Sequence, residues 1–418
     1  MKDLPKPSDI VQALNLNATT LSPLHVGSFE GTLTKIEYLV NNGRVYIVDT
    51  DKVSGENGFL GNEQLEKWAG GSDDKSLTDY FQSLNEVWRK IIKPGKLSHY
   101  SVENRGGLKG NMEYRPFIRN KFYQAYLPGS SIKGALRNGW LNHYLRRDDA
   151  REEQLALIKK VRDVLGNNPQ DKALNAAYRD PFQKGFSQGE TDASHADLFR
   201  ILSVNDTTPF DNQGIEAENI EVQKKGLDQN KKVNFSYKTS LAAECIQRGA
   251  TFSISLRLNR KLFDNYRDKQ HAFSNLETLL DQTDNFYRQV WQYEQKFFEV
   301  APKEFSGITN FYNTPPPEQE NGKKVWLLRL GSGSGVHSLS PGLRLSLEGA
   351  FDEEEMSLLA LKQFINGNEV EKDLFYWIGF KTFWKNQPKG AFFPKSRKLV
   401  KRANGFFAPL GWLKLEEA

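Results

Sequence analysis

The chain has 418 residues, of which 38% are hydrophobic, 12% aromatic and 26% charged. This length predicts two to three domains at about 150 residues each, and the aromatic content excludes a wholly disordered or fibrous chain. With the single cysteine Cys245, the chain can form neither an intrachain disulfide nor a cysteine-cluster metal site. We find no run of about 18 apolar residues and no apolar signal core, so we expect a cytoplasmic protein without a membrane partner.

The net charge of +5 is distributed unevenly along the chain. Residues 105–147 contain nine Lys and Arg and one acidic residue, Glu113, while residues 381–402 contain eight Lys and Arg and no acidic residue. Each segment therefore carries a net charge of +8, and the remainder of the chain is acidic. Concentrated basic segments are typical of proteins that bind a polyanion such as nucleic acid, although two solvated basic faces would give the same pattern.

Apolar periodicity and turn residues predict an order of strands and helices. In the first half these are a strand over 14–24, a β-hairpin over 32–49, a helix over 77–92, one or two helices over 141–165 and a loop over 206–232. In the second half they are a strand over 251–258, an amphipathic helix over 276–300, a loop over 312–323, a strand over 325–330, a helix over 358–365 and a strand over 408–415. Strands interrupted by helices and long polar segments predict an α+β fold, and a fused pair of small α/β sandwiches would fit this order.

The segment Tyr126–Trp140 (YLPGSSIKGALRNGW) contains the sharpest motif. Its Pro-Gly turn precedes a helix that Ser130 or Ser131 is predicted to cap. Apolar residues recur every four positions on this helix and predict a buried stripe of Ile132, Leu136 and Trp140.

The same helix presents a possible phosphate-binding site. Lys133 and Arg137 lie four residues apart on one face, and Gly134 between them would let another backbone approach closely. The N–H groups at the helix start near Gly129, a hydroxyl cap and two cations could bind phosphate. An ordinary capped helix with solvated cations explains these residues equally well.

The sequence contains partial matches to three enzyme motifs. Gly129 and Gly134 have the Walker spacing without the Lys-Ser/Thr that follows it, and Gly331–Gly335 lacks the third glycine of a dinucleotide-binding fingerprint. Ser130-x-x-Lys133, Ser203-x-Asn205 and Lys238-Thr239-Ser240 follow the order of penicillin-recognising serine acyltransferases. Because each pattern is short and those enzymes act outside the cytoplasm, the acyltransferase is a minor alternative.

A glycine-rich segment follows the strand predicted over 325–330. Its glycines alternate with serines, as Gly331, Ser332, Gly333, Ser334 and Gly335. Such a loop can point several backbone N–H groups one way and form an anion-binding nest, here between Arg329 and His337. A flexible turn between strands is the alternative.

The second basic segment mixes aromatic and basic side chains over residues 392–398. Lys395, Arg397 and Lys398 follow two phenylalanines, a combination that suits single-stranded RNA because bases stack on rings while cations contact phosphates. A basic edge with core aromatics would look the same. The six histidines show no metal-ligand spacing, but His25 and His337 each lie near a glycine loop where acid–base chemistry is possible.

These segments together resemble the signatures of the RAMP proteins of CRISPR systems. Residues 126–140 resemble their element in which a PGSSLKG…R sequence precedes a helix. Residues 20–27, followed by Tyr38 and residues 45–49, are similar to their opening strand and hairpin. Residues 199–206 are similar to their central strand, and residues 329–337 to their glycine-rich loop. Residues 393–397 and 409–412 are similar to the C-terminal end of the subunit that caps the backbone of the type III-A (Csm) effector.

The resemblance implies tandem RRM-like (ferredoxin-like) domains, over 1–195 with a helical insertion at about 141–165 and over 196–418 with the glycine-rich loop. It implies a non-catalytic RNA-binding subunit that caps the RAMP backbone near the crRNA 3′ side and supports crRNA maturation and antiviral defence. Its partners would be crRNA, target RNA and neighbouring RAMP subunits, with no cofactor and no metal. The expected RNA-binding residues are Gly129, Ser130, Ser131, Lys133, Gly134, Arg137, Arg329, Gly331, Ser332, Gly333, Ser334, Gly335, His337, Lys395, Arg397 and Lys398.

Related functions stay open at this point. Sister subunits that cut target RNA carry an Asp in a loop soon after the opening strand, whereas residues 27–35 offer only Glu30, which argues against target cleavage. A metal-independent RAMP endoribonuclease that processes precursor crRNA through His25 or His337 is one alternative. A backbone subunit of another type III subtype is the other.

Overall fold

Two β-sheets and the helices packed on them form the fold in the computed structural model, which describes residues 10–28, 31–55, 58–70, 75–84, 86–145, 197–227, 233–266, 269, 272–335 and 396–418. The strands are β1 Val11–Thr20, β2 Tyr38–Asn41, β3 Arg44–Val48, β4 Ser98–Asn104, β5 Tyr114–Arg115, β6 Leu202–Val204, β7 Ile215–Leu227, β8 Val233–Ile246, β9 Thr251–Asn259, β10 Gln319–Glu320, β11 Lys323–Arg329, β12 Ser396–Arg402, β13 Gly405–Ala408 and β14 Trp412–Glu417.

The α-helices are α1 Thr50–Ser54, α2 Asn62–Ala69, α3 Leu77–Ser83, α4 Glu86–Ile91, α5 Gly129–Leu145, α6 Arg260–Asp264, α7 Leu276–Phe298 and α8 Ser306–Tyr312. Short 3₁₀ turns cover Leu198–Ile201, Asn212–Gly214 and Lys303–Phe305. Among the described residues, no helix is long and apolar enough to cross a membrane.

The first sheet has the strand order β10-β11-β14-β1-β9-β6, and all of its neighbours are antiparallel. Along the chain, α5 connects to β6 after β1, and α7 follows β9 before β14. The four strands β14-β1-β9-β6 with these two helices have the βαββαβ arrangement of an RRM-like unit, in which the last strand comes from the C-terminal part of the chain. The α+β, RRM-like fold expected from the sequence is therefore confirmed.

The second sheet has the order β13-β12-β7-β4-β3-β2, with β8 paired to both β7 and β5. The β4–β7 and β5–β8 pairs are parallel, whereas β7 and β8 form a long antiparallel ribbon. Each sheet contains strands from both sides of residue 195, so the division at that residue does not coincide with a division between the sheets.

The long helix α7 fills the space beside the first sheet. Asn275 caps it by accepting a hydrogen bond from the Thr278 N–H at 2.8 Å, as its side-chain type favours. Its apolar face is buried and includes Phe286, Tyr287, Val290, Trp291, Tyr293, Phe297 and Phe298. The amphipathic helix predicted over 276–300 is confirmed, and its aromatic stripe is core.

Local turn chemistry decides several elements. The hairpin predicted over 32–49 forms as β2 and β3, and Asn42 and Gly43 both have positive φ (47° and 71°), as a two-residue turn of this hand requires. The helix predicted over 77–92 is wrong as a single helix. Leu84 adopts an extended conformation (ψ 164°), which separates α3 from α4.

Two further predictions are wrong. The segment 206–232 contains all of β7 rather than only a loop, because the buried carboxylates of Glu216 and Glu218 are paired with Arg402 of β12. The strand predicted over 408–415 is split between two sheets, since Pro409 has no N–H to donate and Gly411 has a φ of 86° that allows a sharp turn. The helix predicted over 358–365 and residues 146–165 lie outside the described residues.

Candidate functional site

The glycine-rich loop after β11 folds back on the segment that follows β1. The Ser332 N–H donates to the His25 carbonyl at 2.8 Å, and the Leu330 N–H donates to the Gly411 carbonyl at 3.0 Å. Gly331, Gly333 and Gly335 all have positive φ (79°, 88° and 80°), which is the backbone geometry that an anion nest needs.

The loop is more tightly packed than an exposed turn. A Cβ at Gly331 would lie 2.4 Å from the His25 carbonyl oxygen, and one at Gly333 would lie 2.7 Å from a Leu410 methyl carbon. At Gly335 a Cβ would meet nothing within 4 Å. Gly331 and Gly333 thus serve close packing as well as turn geometry, and the outer part of the loop near Gly335 is the accessible part.

The expectation that Arg329 and Arg397 are exposed RNA contacts is wrong. Both side chains are buried, and both approach the carboxylate of Glu294 on α7, Arg397 at 2.7 Å and Arg329 at 3.9 Å. The Arg329 Nε also donates to the Leu410 carbonyl at 3.1 Å. A buried carboxylate draws these two cations inward, so they stabilise the interior rather than the surface.

Lys398 and Arg115 form a pair of cations at the outer side of the loop. The Lys398 ammonium lies 3.4 Å from the Ser332 hydroxyl, and Arg115 lies on β5, which joins the same sheet through β8. Burial lowers the pKa of Lys398, and the positive charge of Arg115 lowers it further. Among the described residues, no carboxylate forms an ion pair with either side chain, and the buried Arg115 Nε has no hydrogen-bond acceptor. Two neighbouring cations of this kind attract an anion.

His25 lies beneath this pair and is 2% exposed. Its Nδ1 is 2.6 Å from the Glu244 carbonyl oxygen, which can only accept, so Nδ1 carries the proton. Burial lowers the pKa of His25, and the charges of Arg115 and Lys398 act in the same direction. A neutral, enclosed imidazole that holds the loop through its own carbonyl is a structural group, not an exposed acid or base.

The start of α5 differs from the sequence-based picture. The Gly129 N–H donates to the Asp206 carboxylate at 2.8 Å, so the expected cap by Ser130 or Ser131 is wrong and both serines lie in the first turn. A carboxylate is favoured at a helix N-terminus for the same reason as a phosphate, and it neutralises that position here. The predicted stripe of Ile132, Leu136 and Trp140 is buried, as expected.

The cations of α5 have partners inside the molecule. The Lys133 ammonium donates to the Leu202 carbonyl at 2.7 Å, and burial lowers its pKa. Arg137 pairs with Asp197 at 2.7 Å and lies over the Phe199 ring at 4.7 Å. A Cβ at Gly134 would meet nothing within 4 Å, so its expected close approach is wrong. Gly139 makes that contact instead, with Thr283 of α7 at 2.7 Å.

The structure therefore brings together only part of the predicted set. Ser332 and Lys398 share one site with Arg115, while Lys133 and Arg137 belong to the separate contacts of α5 with the 197–202 segment. Lys395, His337 and Glu30 lie outside the described residues. Sequence reasoning missed the roles of Arg115, Glu244 and Glu294. The acidic residue Glu294 within the aromatic face of α7 was the available signal for a buried ion pair.

Comparison with protein families identifies the chain. The family model described as "RAMP superfamily" matches residues 17–383. The chain belongs to the RAMP superfamily. This RAMP protein is similar to a curated protein named "CRISPR system Cms protein Csm5" from Methanocaldococcus jannaschii, with 23% identity over 96% of this chain and 88% of that protein. A Streptococcus thermophilus protein of the same name is 25% identical over 48% of this chain and 53% of its own length.

Two solved structures share the fold of this RAMP protein. One is a chain from the cryo-EM structure of a Csm–crRNA–target RNA ternary complex of a type III-A CRISPR-Cas system, with a TM-score of 0.57 and 20% identity, covering 96% of this chain and 100% of that chain. The other is the crystal structure of T. onnurineus Csm5, with a TM-score of 0.57 and 19% identity over 95% of this chain and 99% of that one.

Proposed function

We propose that this RAMP protein is a non-catalytic RNA-binding subunit of a type III-A CRISPR effector complex. In this role it caps the RAMP backbone near the crRNA 3′ side and supports crRNA maturation and antiviral defence in the cytoplasm. Its partners are crRNA, target RNA and the neighbouring RAMP subunits. The curated relatives named Csm5 and the fold shared with a chain of a Csm–crRNA–target RNA complex support this proposal.

The observation that carries RNA binding is the cation pair at the glycine-rich loop. Most described Arg side chains of the two basic segments are paired internally, since Arg105, Arg119, Arg137, Arg397 and Arg402 each contact a carboxylate. Arg115 and Lys398 instead repel each other, and the positive charge of Arg115 lowers the pKa of Lys398. Lys398 also lies beside the Ser332 hydroxyl of the glycine-rich loop, whose glycines have positive φ. The repulsion between the two cations is relieved when a phosphate lies between them.

The salt dependence of RNA binding tests this assignment. For a crRNA-like single strand, Lys398→Ala and Arg115→Ala should each lower the slope of log affinity against log salt by about 0.7, the value for one phosphate contact on a single strand. Lys67→Ala is the matched control, because Lys67 is an exposed lysine of α2 paired with Glu63. An unchanged slope in the double variant Arg115→Ala/Lys398→Ala would refute this site and leave Lys133 and Arg137 as the candidate contacts.

The capping role is tested in the assembled complex. The effector is purified with and without this chain, and the bound crRNA is sequenced from both ends. We expect the 3′ ends to become longer or heterogeneous without the chain while the 5′ ends stay fixed, because only the backbone end near the 3′ side loses its protein cover. Identical 3′ ends in both preparations would contradict the capping role.

A further inference from the structure

A cavity of about 210 Å³ lies between the β2–β3 hairpin, β4 and the turn that follows β5. None of its lining residues belongs to the glycine-rich loop or to β12, so it is distinct from the cation pair described above. Leu33, Ile47 and Phe117 contribute apolar wall, and polar side chains lie among them. The volume is below the roughly 300–1,000 Å³ typical of sites for drug-sized ligands, and it suits a single planar ring system.

Two stacked rings line this cavity. His99 and Tyr123 have ring centroids 4.3 Å apart and ring planes 18° from parallel. Tyr123 has a φ of 58°, which a tyrosine adopts only where its surroundings impose it. Asn120 holds the backbone of this turn in place, because its Oδ1 accepts hydrogen bonds from the N–H groups of Phe122 and Gln124 at 2.9 and 3.1 Å. The turn thus holds the Tyr123 ring in place for an incoming ring.

The charges around the cavity favour a neutral ligand over a phosphate. Arg119 lines it, but its guanidinium is 2.7 Å from the Glu244 carboxylate and lies over the Tyr100 ring at 3.7 Å. Its charge is therefore balanced within the protein, and Glu37 adds a negative charge to the lining. The Glu37 carboxylate would repel a phosphate, and among the lining residues no unbalanced cation would offset that repulsion. A neutral base would not be repelled.

Glu37 also indicates which base fits. Both hydrogen bonds that described residues donate to its side chain, from the Thr34 N–H and hydroxyl at 2.7 Å, go to Oε2. Oε1 keeps two acceptor positions for a ligand, so an edge that presents two adjacent N–H donors can donate both hydrogen bonds to it. Guanine presents such an edge through its N1–H and its amino group, whereas adenine and uracil do not present two adjacent donors.

We propose that this cavity binds a single unstacked guanine base of single-stranded RNA, with the base extending the His99–Tyr123 stack and its N–H edge facing Glu37. Phe122, which is 68% exposed beside Tyr123, provides a surface for the adjacent base. This inference rests on the proposed RNA-binding function and adds to it a base-specific site.

The test uses the full chain and two probes. The first is ligand-observed NMR saturation transfer to guanosine 5′-monophosphate, with adenosine 5′-monophosphate and ribose 5-phosphate as comparison ligands. The second is fluorescence anisotropy with the labelled heptamers UUUGUUU and UUUUUUU. We expect signal from the guanine ring but none from ribose 5-phosphate, and about tenfold tighter binding of the guanine-containing heptamer.

The variants separate the parts of the site. Tyr123→Gly removes the ring at a position where glycine tolerates the positive φ, and His99→Ala removes its stacking partner. Both should abolish the preference for the guanine heptamer, and Glu37→Gln should weaken it without abolishing it. Tyr237→Ala is the matched control, because Tyr237 is another exposed tyrosine (60%) on β8, outside the cavity lining.

The outcomes distinguish the two proposals. If UUUUUUU binds and guanine adds nothing, or if Tyr123→Gly keeps the preference, the guanine site is wrong while RNA binding stands. If neither heptamer binds but the mononucleotide signal is present and lost in Tyr123→Gly, the cavity is a guanine site and the RNA-binding function is wrong. Absence of both signals would refute the guanine site outright and favour a partner side chain as its occupant.

Discussion

The Nε of Arg397 lies 2.7 Å from Oε2 of Glu294, which joins β12 to the long helix α7 in the interior of the protein. The guanidinium also lies over the Phe297 ring at 3.9 Å. Arg329 approaches the same carboxylate from β11, so one acidic side chain balances two buried arginines. Arg397, the residue immediately before Lys398, thereby fixes the position of β12, which supplies Lys398 to the cation pair.

Removing the charge of Glu294 should therefore destabilise the protein strongly. Glu294→Gln leaves two buried guanidinium groups without their counter-charge, and breaking a buried pair typically costs about 3–5 kcal/mol. The free energy of unfolding from urea denaturation measures this loss. Glu277→Gln, at an exposed position of the same helix, should cost less than about 1 kcal/mol. Equal losses in the two variants would show that the buried pair contributes nothing special.

Gly134 and Gly139 of α5 should respond oppositely to alanine. Gly139→Ala places a Cβ 2.7 Å from the Thr283 Cα, so α5 and α7 must move apart and the free energy of unfolding should fall. Gly134→Ala enters open space in a helix interior and should raise it by about 0.5–1 kcal/mol. Thermal unfolding of both variants tests the pair, and a stabilising Gly139→Ala would contradict the close helix contact.

The glycines of the loop should separate folding from RNA binding. Gly333→Val would push into Leu410 and should lower the melting temperature, while Gly335→Val meets no neighbour within 4 Å and is strained only by its φ of 80°. We expect Gly335→Val to weaken RNA retention with circular dichroism unchanged. Replacing Ser332 and Ser334 with Ala should have a much smaller effect. Full RNA retention by Gly335→Val would mean that the loop is only a turn.

Lys225 should make stability depend on pH. Burial lowers its pKa to about 8, so between pH 8 and about 10.4 the folded protein has released this proton while the unfolded chain still binds it. Stability therefore rises with pH across this window, and below pH 8 the cost of charging Lys225 is constant. Lys225→Met should remove this rise in the free energy of unfolding, measured against Lys224→Met, which removes the neighbouring exposed lysine. Identical pH profiles of the two variants would contradict the burial effect.

The sequence was sufficient where local chemistry determines structure. The Asn42-Gly43 turn, the apolar stripe of α5 and the amphipathic face of α7 depend on residues close in the chain, and each forms as predicted. The family motifs also indicated the superfamily, because short segments with fixed order along the chain carry that signal.

The site was predicted less well because its partners are distant in the chain. The cap of α5 is Asp206, the partner of Arg397 is Glu294, and Lys398 meets Ser332, and each pair is separated by more than 60 positions. A basic segment looks available for RNA until the acidic residues that fold onto it are known. For the same reason β7 was not predicted, because its sequence is polar and looks like a loop until Glu216 and Glu218 are seen to pair with the distant Arg402.

The position of β14 has a consequence for how the protein is made. This strand lies between β1 and β11. At the base of the glycine-rich loop, the N–H of the adjoining Gly411 donates to the Pro23 carbonyl, and the Gly411 carbonyl accepts from the Leu330 N–H. During synthesis, β1 and β11 leave the ribosome before residues 411–417, so the first sheet has a gap at its centre until that strand arrives. The glycine-rich loop therefore reaches its final position only after this strand is translated, because Leu330 and Arg329 at its base contact the backbone of residues 410–411.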